Sequence, residues 1–150
     1  MSTANRELVH CWFEEVWNKQ SEDAIDQMFA PGGKAYGFPE ANSVLVGAEK
    51  FKEMHRFFLG AFPDIHITVQ ETICEDDRVA VTWIATMTHL GENLGFSPTF
   101  QKVSLPGCSV LVVRNGQIHE GKNYMEMESL ISRLKVSASS AIETAATTAS

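Results

Sequence analysis

The spacing of apolar residues changes once along this chain, and that change limits what it can fold into. Up to Phe62 the hydrophobic residues recur at helical intervals; from Ile65 they alternate, and Pro63-Asp64 stands between the two regimes. Over residues 5–18, Leu8, Trp12 and Val16 fall at i, i+4 and i+8, widened by Val9, Phe13 and Trp17, which predicts an amphipathic helix. Ser21 is placed to cap a second helix, with Glu22 and Asp23 in the first turn where the helix dipole favours acids. That helix carries Ala24, Ile25, Met28 and Phe29 towards Pro31. Gly32-Gly33 ends it and opens a short strand, Lys34–Pro39. A third helix starts after Gly47 and presents Phe51, Met54, Phe58 and Phe62, with His55 on the same face.

In the second regime, Ile65, Ile67, Val69 and Ile73 alternate with polar residues, Glu75-Asp76-Asp77 forms a turn, and Val79 through His89 makes the next strand. After a loop, Gly91–Pro98, two long strands follow, Val103–Arg114 and Gln117–Met127. Asn115-Gly116 joins them, the strongest short hairpin signal a sequence carries. A short helix, roughly Met125–Lys135, closes the pattern through Met127, Leu130, Ile131 and Leu134. Three helices followed by antiparallel strands give an α+β domain over residues 1–135, with the helices segregated to one side of the sheet and the strand near Tyr36 joining it. Twelve of the residues 136–150 are Ala, Ser or Thr, so this stretch reads as a solvated tail or a weak helix on a partner.

Helices facing such a sheet can leave a pocket between them. Charge and cysteine usage narrow what it serves. The formal net charge is −7 and no run of Lys or Arg occurs, which argues against nucleic acid and anionic membrane surfaces as partners. No apolar stretch approaches the roughly 20 residues of a membrane span. The N-terminus has no basic segment followed by an apolar run, so no cleaved signal peptide is expected. Cys11, Cys74 and Cys108 are isolated and show no metal-ligand spacing; no metal or cofactor is expected, and Cys11 and Cys108 read as buried free thiols. These features point to the cytoplasm, and the pocket between helices and sheet suggests a small hydrophobic molecule as the partner.

Four segments carry a resemblance that covers Glu7 to Leu134. They are Trp12-Phe13-Glu14-Glu15-Val16-Trp17-Asn18; Gly47 through Ala61-Phe62-Pro63-Asp64; Arg78-Val79-Ala80-Val81-Thr82-Trp83 with Thr88-His89-Leu90-Gly91, Leu94-Gly95 and Pro98-Thr99; and Arg114-Asn115-Gly116-Gln117-Ile118 leading to Ser129 through Leu134. In their order and spacing the chain resembles the SnoaL-like polyketide cyclase (ester cyclase) group of the nuclear-transport-factor-2-like superfamily. The resemblance implies a cone-shaped α+β barrel with a strongly curved, mostly antiparallel sheet, a pocket at the open end and a homodimer through the outer face of the sheet. It also places Asn123 where the family's cyclases are described as using an aspartate general acid/base, and Ser109 where they have a histidine. An amide cannot take and return a proton near neutral pH, though it can orient a carbonyl or an enolate.

Strand geometry suggests a replacement acid. Residues i and i+4 of a strand share a face, so His119 and Asn123 would both point into the pocket, with Gly121 between them leaving room for a ligand. Trp83 and Met87 are expected in the pocket wall. His55 is either a polar handle there or a satisfied core histidine. His89 either caps the rim or bonds the loop beside it, and Tyr36 falls at the cavity mouth. Glu71, in phase with Val69 and Ile73, is either a buried acid or is turned to solvent by a bulge. His10 and His66 lie on polar surfaces. The leading reading is a cyclase or isomerase acting by proton transfer beside a carbonyl of a small hydrophobic metabolite. The alternatives are a binding protein that does not turn its ligand over and, less favoured, an epoxide-hydrolase type of enzyme.

Overall fold

The computed structural model describes the backbone of residues 2–149 and the side chains of residues 3–139. Helix α1 (Ser2–Trp12) runs without a break into a more loosely wound turn, Phe13–Asn18, in which the Lys19 N–H reaches back five residues to the Glu14 carbonyl at 2.8 Å. Together they make the helix predicted over 5–18. The apolar stripe Val9, Trp12, Phe13, Val16 and Trp17 is buried. Helix α2 (Glu22–Met28) is capped by Ser21 as expected, its hydroxyl accepting the Ala24 N–H at 3.2 Å.

The predicted continuation of α2 to Pro31 does not occur. The chain turns extended at Phe29, and strand β1 runs Phe29–Tyr36, because Phe29 is already in parallel register with Ile118 of the last strand. Sheet pairing overrides the local helical pattern there. A three-residue edge strand, β2 (Val44–Val46), not foreseen from the sequence, pairs with β1. Helix α3 (Ala48–Ala61) buries Phe51, Met54, His55 and Phe58, the face predicted for it.

Strands β3 (His66–Glu75), β4 (Arg78–Thr88), β5 (Lys102–Arg114) and β6 (Gln117–Met125) form the consecutive antiparallel set. Asn115 and Gly116, at φ 52° and 72°, make the two-residue turn between β5 and β6. The order across the sheet is β2-β1-β6-β5-β4-β3. The sheet is curved but not closed: β2 and β3 remain its edges, so the expected barrel is an open one.

Bulges break the register in three places, and two correct the sequence reading. One at Gln70 turns Glu71 to solvent and leaves Ile73 67% exposed, off the core face that alternation assigned to it. Another falls between Ile118 and Glu120 on β6. Cys11, expected buried, is exposed on α1. The final helix, α4 (Met127–Ala149), outruns its predicted end at Lys135, burying Met127, Leu130, Leu134 and Ala138. The side chains of the Ala/Ser/Thr-rich stretch from residue 140 onward lie outside the described residues. No helix among the described residues is long and apolar enough to cross a membrane.

Candidate functional site

A cavity lies between the last turns of the first helix, α3 and the inner face of the sheet. Eight Trp and Phe side chains line it, including Trp12, Trp17, Phe38 and Trp83, together with aliphatic residues and Met87, Met125 and Met127. Its volume is about 50 Å³, measured as the space open to the centre of a water-sized sphere. One water needs ~10–15 Å³ on that measure. An apolar cavity of about 150 Å³ holds a benzene ring, so a single-ring ligand needs these walls to give and a fused polycyclic one needs them to move further. At Gly121, on β6, an added Cβ would meet no atom within 4 Å. The missing side chain is part of what makes the space.

Among the described lining residues, only Ser109 and Asn123 have polar side chains beyond the Trp ring nitrogens, and none is ionisable. The sheet brings the two together directly: Ser109 of β5 is in register with Asn123 of β6. Trp83 of β4 donates its Nε1–H to Ser109 Oγ at 3.0 Å, and Ser109 donates to Asn123 Oδ1 at 2.7 Å. Asn123 Nδ2 donates to the Tyr36 carbonyl of β1 at 2.9 Å. Tyr36 is thus in the site through its backbone. The indole has room because Gly107 faces it; a Cβ on Gly107 would lie 2.3 Å from Trp83 Cζ2. The chain of donors runs one way, from Trp83 to Tyr36. It leaves Asn123 with one N–H and one oxygen lone pair to offer a ligand. The amide orientation follows from the Tyr36 carbonyl, which can accept from nitrogen but not from oxygen.

The three histidines do not line this cavity. His55 is fully buried on α3, and its Nε2 meets the Val16 carbonyl at 2.7 Å beside the Trp17 ring. Burial pushes its pKa down. The loosened helical turn explains the carbonyl: Ser21 N–H bonds Glu15 and Lys19 N–H bonds Glu14, leaving Val16 for the imidazole. His89 lies beyond Met87 on the inner face of β4, but its Nδ1 accepts the Thr99 N–H at 3.1 Å, and Phe62 and Phe96 flank the ring. Burial lowers its pKa also. His119 occupies the β6 bulge. The i, i+4 argument that paired it with Asn123 requires an unbroken ladder; here Ile118, Gly121, Asn123 and Met125 face the cavity instead. So Trp83, Met87, Ser109 and Asn123 converge as predicted residues of one site, while His55, His89 and His119 stand outside it.

The sequence reading missed two features. Phe38 and Leu105 belong to the cavity wall; Phe38 follows the end of β1, where no periodicity marks it, whereas Leu105 shares the strand phase of Ser109 and was passed over. A wider outer groove of about 880 Å³, lined by Tyr36, Lys122, Tyr124 and Arg133 among others, adjoins the cavity and shares Leu105, Asn123 and Met125 with it.

A family model described as SnoaL-like polyketide cyclase matches residues 7–132. Solved structures agree. A candidate SnoaL-like polyketide cyclase from Jannaschia sp. CCS1 superposes with a TM-score of 0.80 at 24% identity, over 89% of this chain and 92% of that one. AclR from Streptomyces galilaeus, described as a candidate hydroxylase, gives 0.77 at 26% identity over 90% and 87%. A protein of ketosteroid isomerase-like fold from Catenulispora acidiphila gives 0.67 at 17% identity over 79% and 84%. No curated protein matches.

Proposed function

Since the chain belongs to the SnoaL-like polyketide cyclase family, we propose that it uses the family's cavity to hold a small, apolar, carbonyl-bearing molecule without turning it over by acid/base chemistry. The observation that carries this reading is the composition of the wall: among its described residues no side chain titrates near neutral pH, and the polar point is an amide fixed by Ser109 and Tyr36. Proton transfer beside a carbonyl needs a group that gains and loses a proton at working pH, within hydrogen-bond reach. Asn123 cannot do this, and His119 stands on the bulge. What Asn123 can do is donate its remaining N–H to a ligand oxygen, a contribution of about 1 kcal/mol that fixes orientation more than affinity. The aromatic wall supplies most of the affinity through burial of ligand surface, at ~25 cal/mol per Å².

Acetophenone is a suitable probe, one ring with one carbonyl. We expect saturable binding by calorimetry, and no acceleration of deuterium exchange at its methyl group in heavy water. Gly121→Val, which fills open space, is expected to keep the melting temperature and lose binding. Exchange catalysed by the wild-type protein and abolished in His119→Ala would restore the enzyme reading. Unchanged affinity in Gly121→Val would place the ligand elsewhere.

A further inference from the structure

The Asn123 amide is fixed in orientation from both sides. The Gly37 N–H donates to the Ser43 carbonyl at 3.0 Å, on the β2 side of β1. In a planar trans peptide the carbonyl points the opposite way, so the Tyr36 oxygen faces across the sheet toward β6. There it accepts one proton of Asn123 Nδ2, and a carbonyl can only accept. On the other side Trp83, which can only donate, gives its ring N–H to Ser109 Oγ. The single proton of that hydroxyl goes to Asn123 Oδ1. Turning the amide over would set oxygen against oxygen at Tyr36 and N–H against O–H at Ser109. Nitrogen therefore lies toward β1 and oxygen toward β5.

Both partners belong to the sheet. A backbone carbonyl and a one-carbon side chain reach the amide from its Cβ end, and they take the proton and the lone pair on that side. The proton and lone pair left over lie next to each other, on the edge turned away from the sheet and into the cavity. Gly121, two residues back on the same face of β6, keeps the space beside that edge open. A ligand carbonyl answers half of the edge. A planar group with C=O and N–H side by side answers all of it through two parallel hydrogen bonds, the pairing by which an asparagine reads a base edge. A carboxylate fails on both counts: it sets an anion against Oδ1 and buries a charge among aromatic rings.

We propose that the ligand's polar end is a primary amide or a lactam, its carbonyl accepting from Asn123 Nδ2 on the β1 side and its N–H donating to Oδ1 on the β5 side. This rests on the cavity reading above and narrows the carbonyl of that reading to one with a donor beside it.

The test sets benzamide against acetophenone by calorimetry; the two differ only in an amino group for a methyl group. Benzamide is expected to bind about fivefold more tightly, the net contribution of one hydrogen bond. In proton NMR of the bound benzamide, the N–H on the same side as the carbonyl oxygen is expected to move downfield, and its geminal partner much less. Asn123→Leu removes both contacts at similar volume and is expected to weaken both compounds and erase the difference between them. The NMR shift is read on the unaltered protein and does not depend on how that variant folds. Acetophenone binding as tightly as benzamide, or a preference for benzamide that survives in Asn123→Leu, would overturn this proposal and leave the cavity reading standing. Absence of binding by both compounds would overturn the two together.

Discussion

Residue 123 is held between a donor and an acceptor. The Ser109 hydroxyl gives a proton to Oδ1, and the Tyr36 carbonyl takes one from Nδ2. An aspartate there would set an oxygen against the Tyr36 carbonyl oxygen. As a carboxylate it would be repelled; protonated, it would donate as the amide does. The apolar wall works in the same direction, and both effects raise a carboxyl above its ordinary value of about 4. We therefore expect Asn123→Asp to fold, to show a carboxyl resonance titrating well above that value, and to begin exchanging the acetophenone methyl protons as pH rises through the new pKa. A carboxyl that titrated near 4 would show that the Tyr36 carbonyl does not select a donor. The sequence made this part of the site readable in two ways: strand phase put Trp83 and Met87 on the inner face, and the family resemblance pointed to Ser109 and Asn123. It could not assign the histidines, because phase says which face a ring leaves from and not what it meets. His55 meets a carbonyl freed by a change of helical pitch, His89 meets Thr99, and His119 meets a bulge.

Elements fared better than their joints. The two periods and the Asn115-Gly116 turn were legible because each is a local property of side chains or of φ. Bulges were legible only in part: Glu71, a carboxylate in an apolar phase, pointed to the one at Gln70, whereas the one at His119 leaves the alternating pattern looking intact until its partner strand is known. The unwound turn Phe13–Asn18 was equally hidden, and it has a structural consequence at Asn18. There the side chain lies along the free edge of β3, its Nδ2 donating to the Ile67 carbonyl at 3.0 Å and its Oδ1 accepting the Ile67 N–H at 2.7 Å. One amide thus satisfies both backbone groups of an edge residue, as a neighbouring strand would. Asn18→Ala is expected to lower stability by ~1–3 kcal/mol, the cost of leaving such partly buried groups without partners. Asn18→Asp, which can accept but not donate, is expected to fall between the two. Urea unfolding midpoints check the order, and an Asn18→Ala midpoint equal to wild type would mean that water replaces the clamp fully.

At the scale of the whole molecule, the curved sheet gathers into one polar point residues from four strands far apart in sequence: Tyr36, Trp83, Ser109 and Asn123. No single-sequence pattern encodes that meeting. The same compactness sets how the protein responds to acid. His55 and His89 are both fully buried, on α3 and at the end of β4, and burial holds both pKa values below that of a free imidazole. Around His55, Glu22 favours the charged ring and Arg56 opposes it, and desolvation exceeds both. In the unfolded chain each ring takes a proton near pH ~6.5, whereas the folded protein resists it. The unfolded state therefore binds more protons as pH falls below that point, and stability drops with it. This loss is complete once the folded rings protonate. A second loss belongs at lower pH, where the carboxylates of Glu22 and Asp77, held low by Arg56 and Arg114, take up protons. Asp64 joins them: burial pushes its carboxyl up, but the hydrogen bonds from Thr88 outweigh that and hold it low. Urea midpoints measured from pH about 8 to about 5 should stay flat above the free-imidazole range and decline below it. His55→Gln keeps a donor for the Val16 carbonyl and removes the titration, so it should flatten part of that decline, and His89→Gln another part. The two sites share no hydrogen-bond partner, so the double variant should sum the single effects. A decline of undiminished slope in the double variant would assign the acid response to the carboxylates alone.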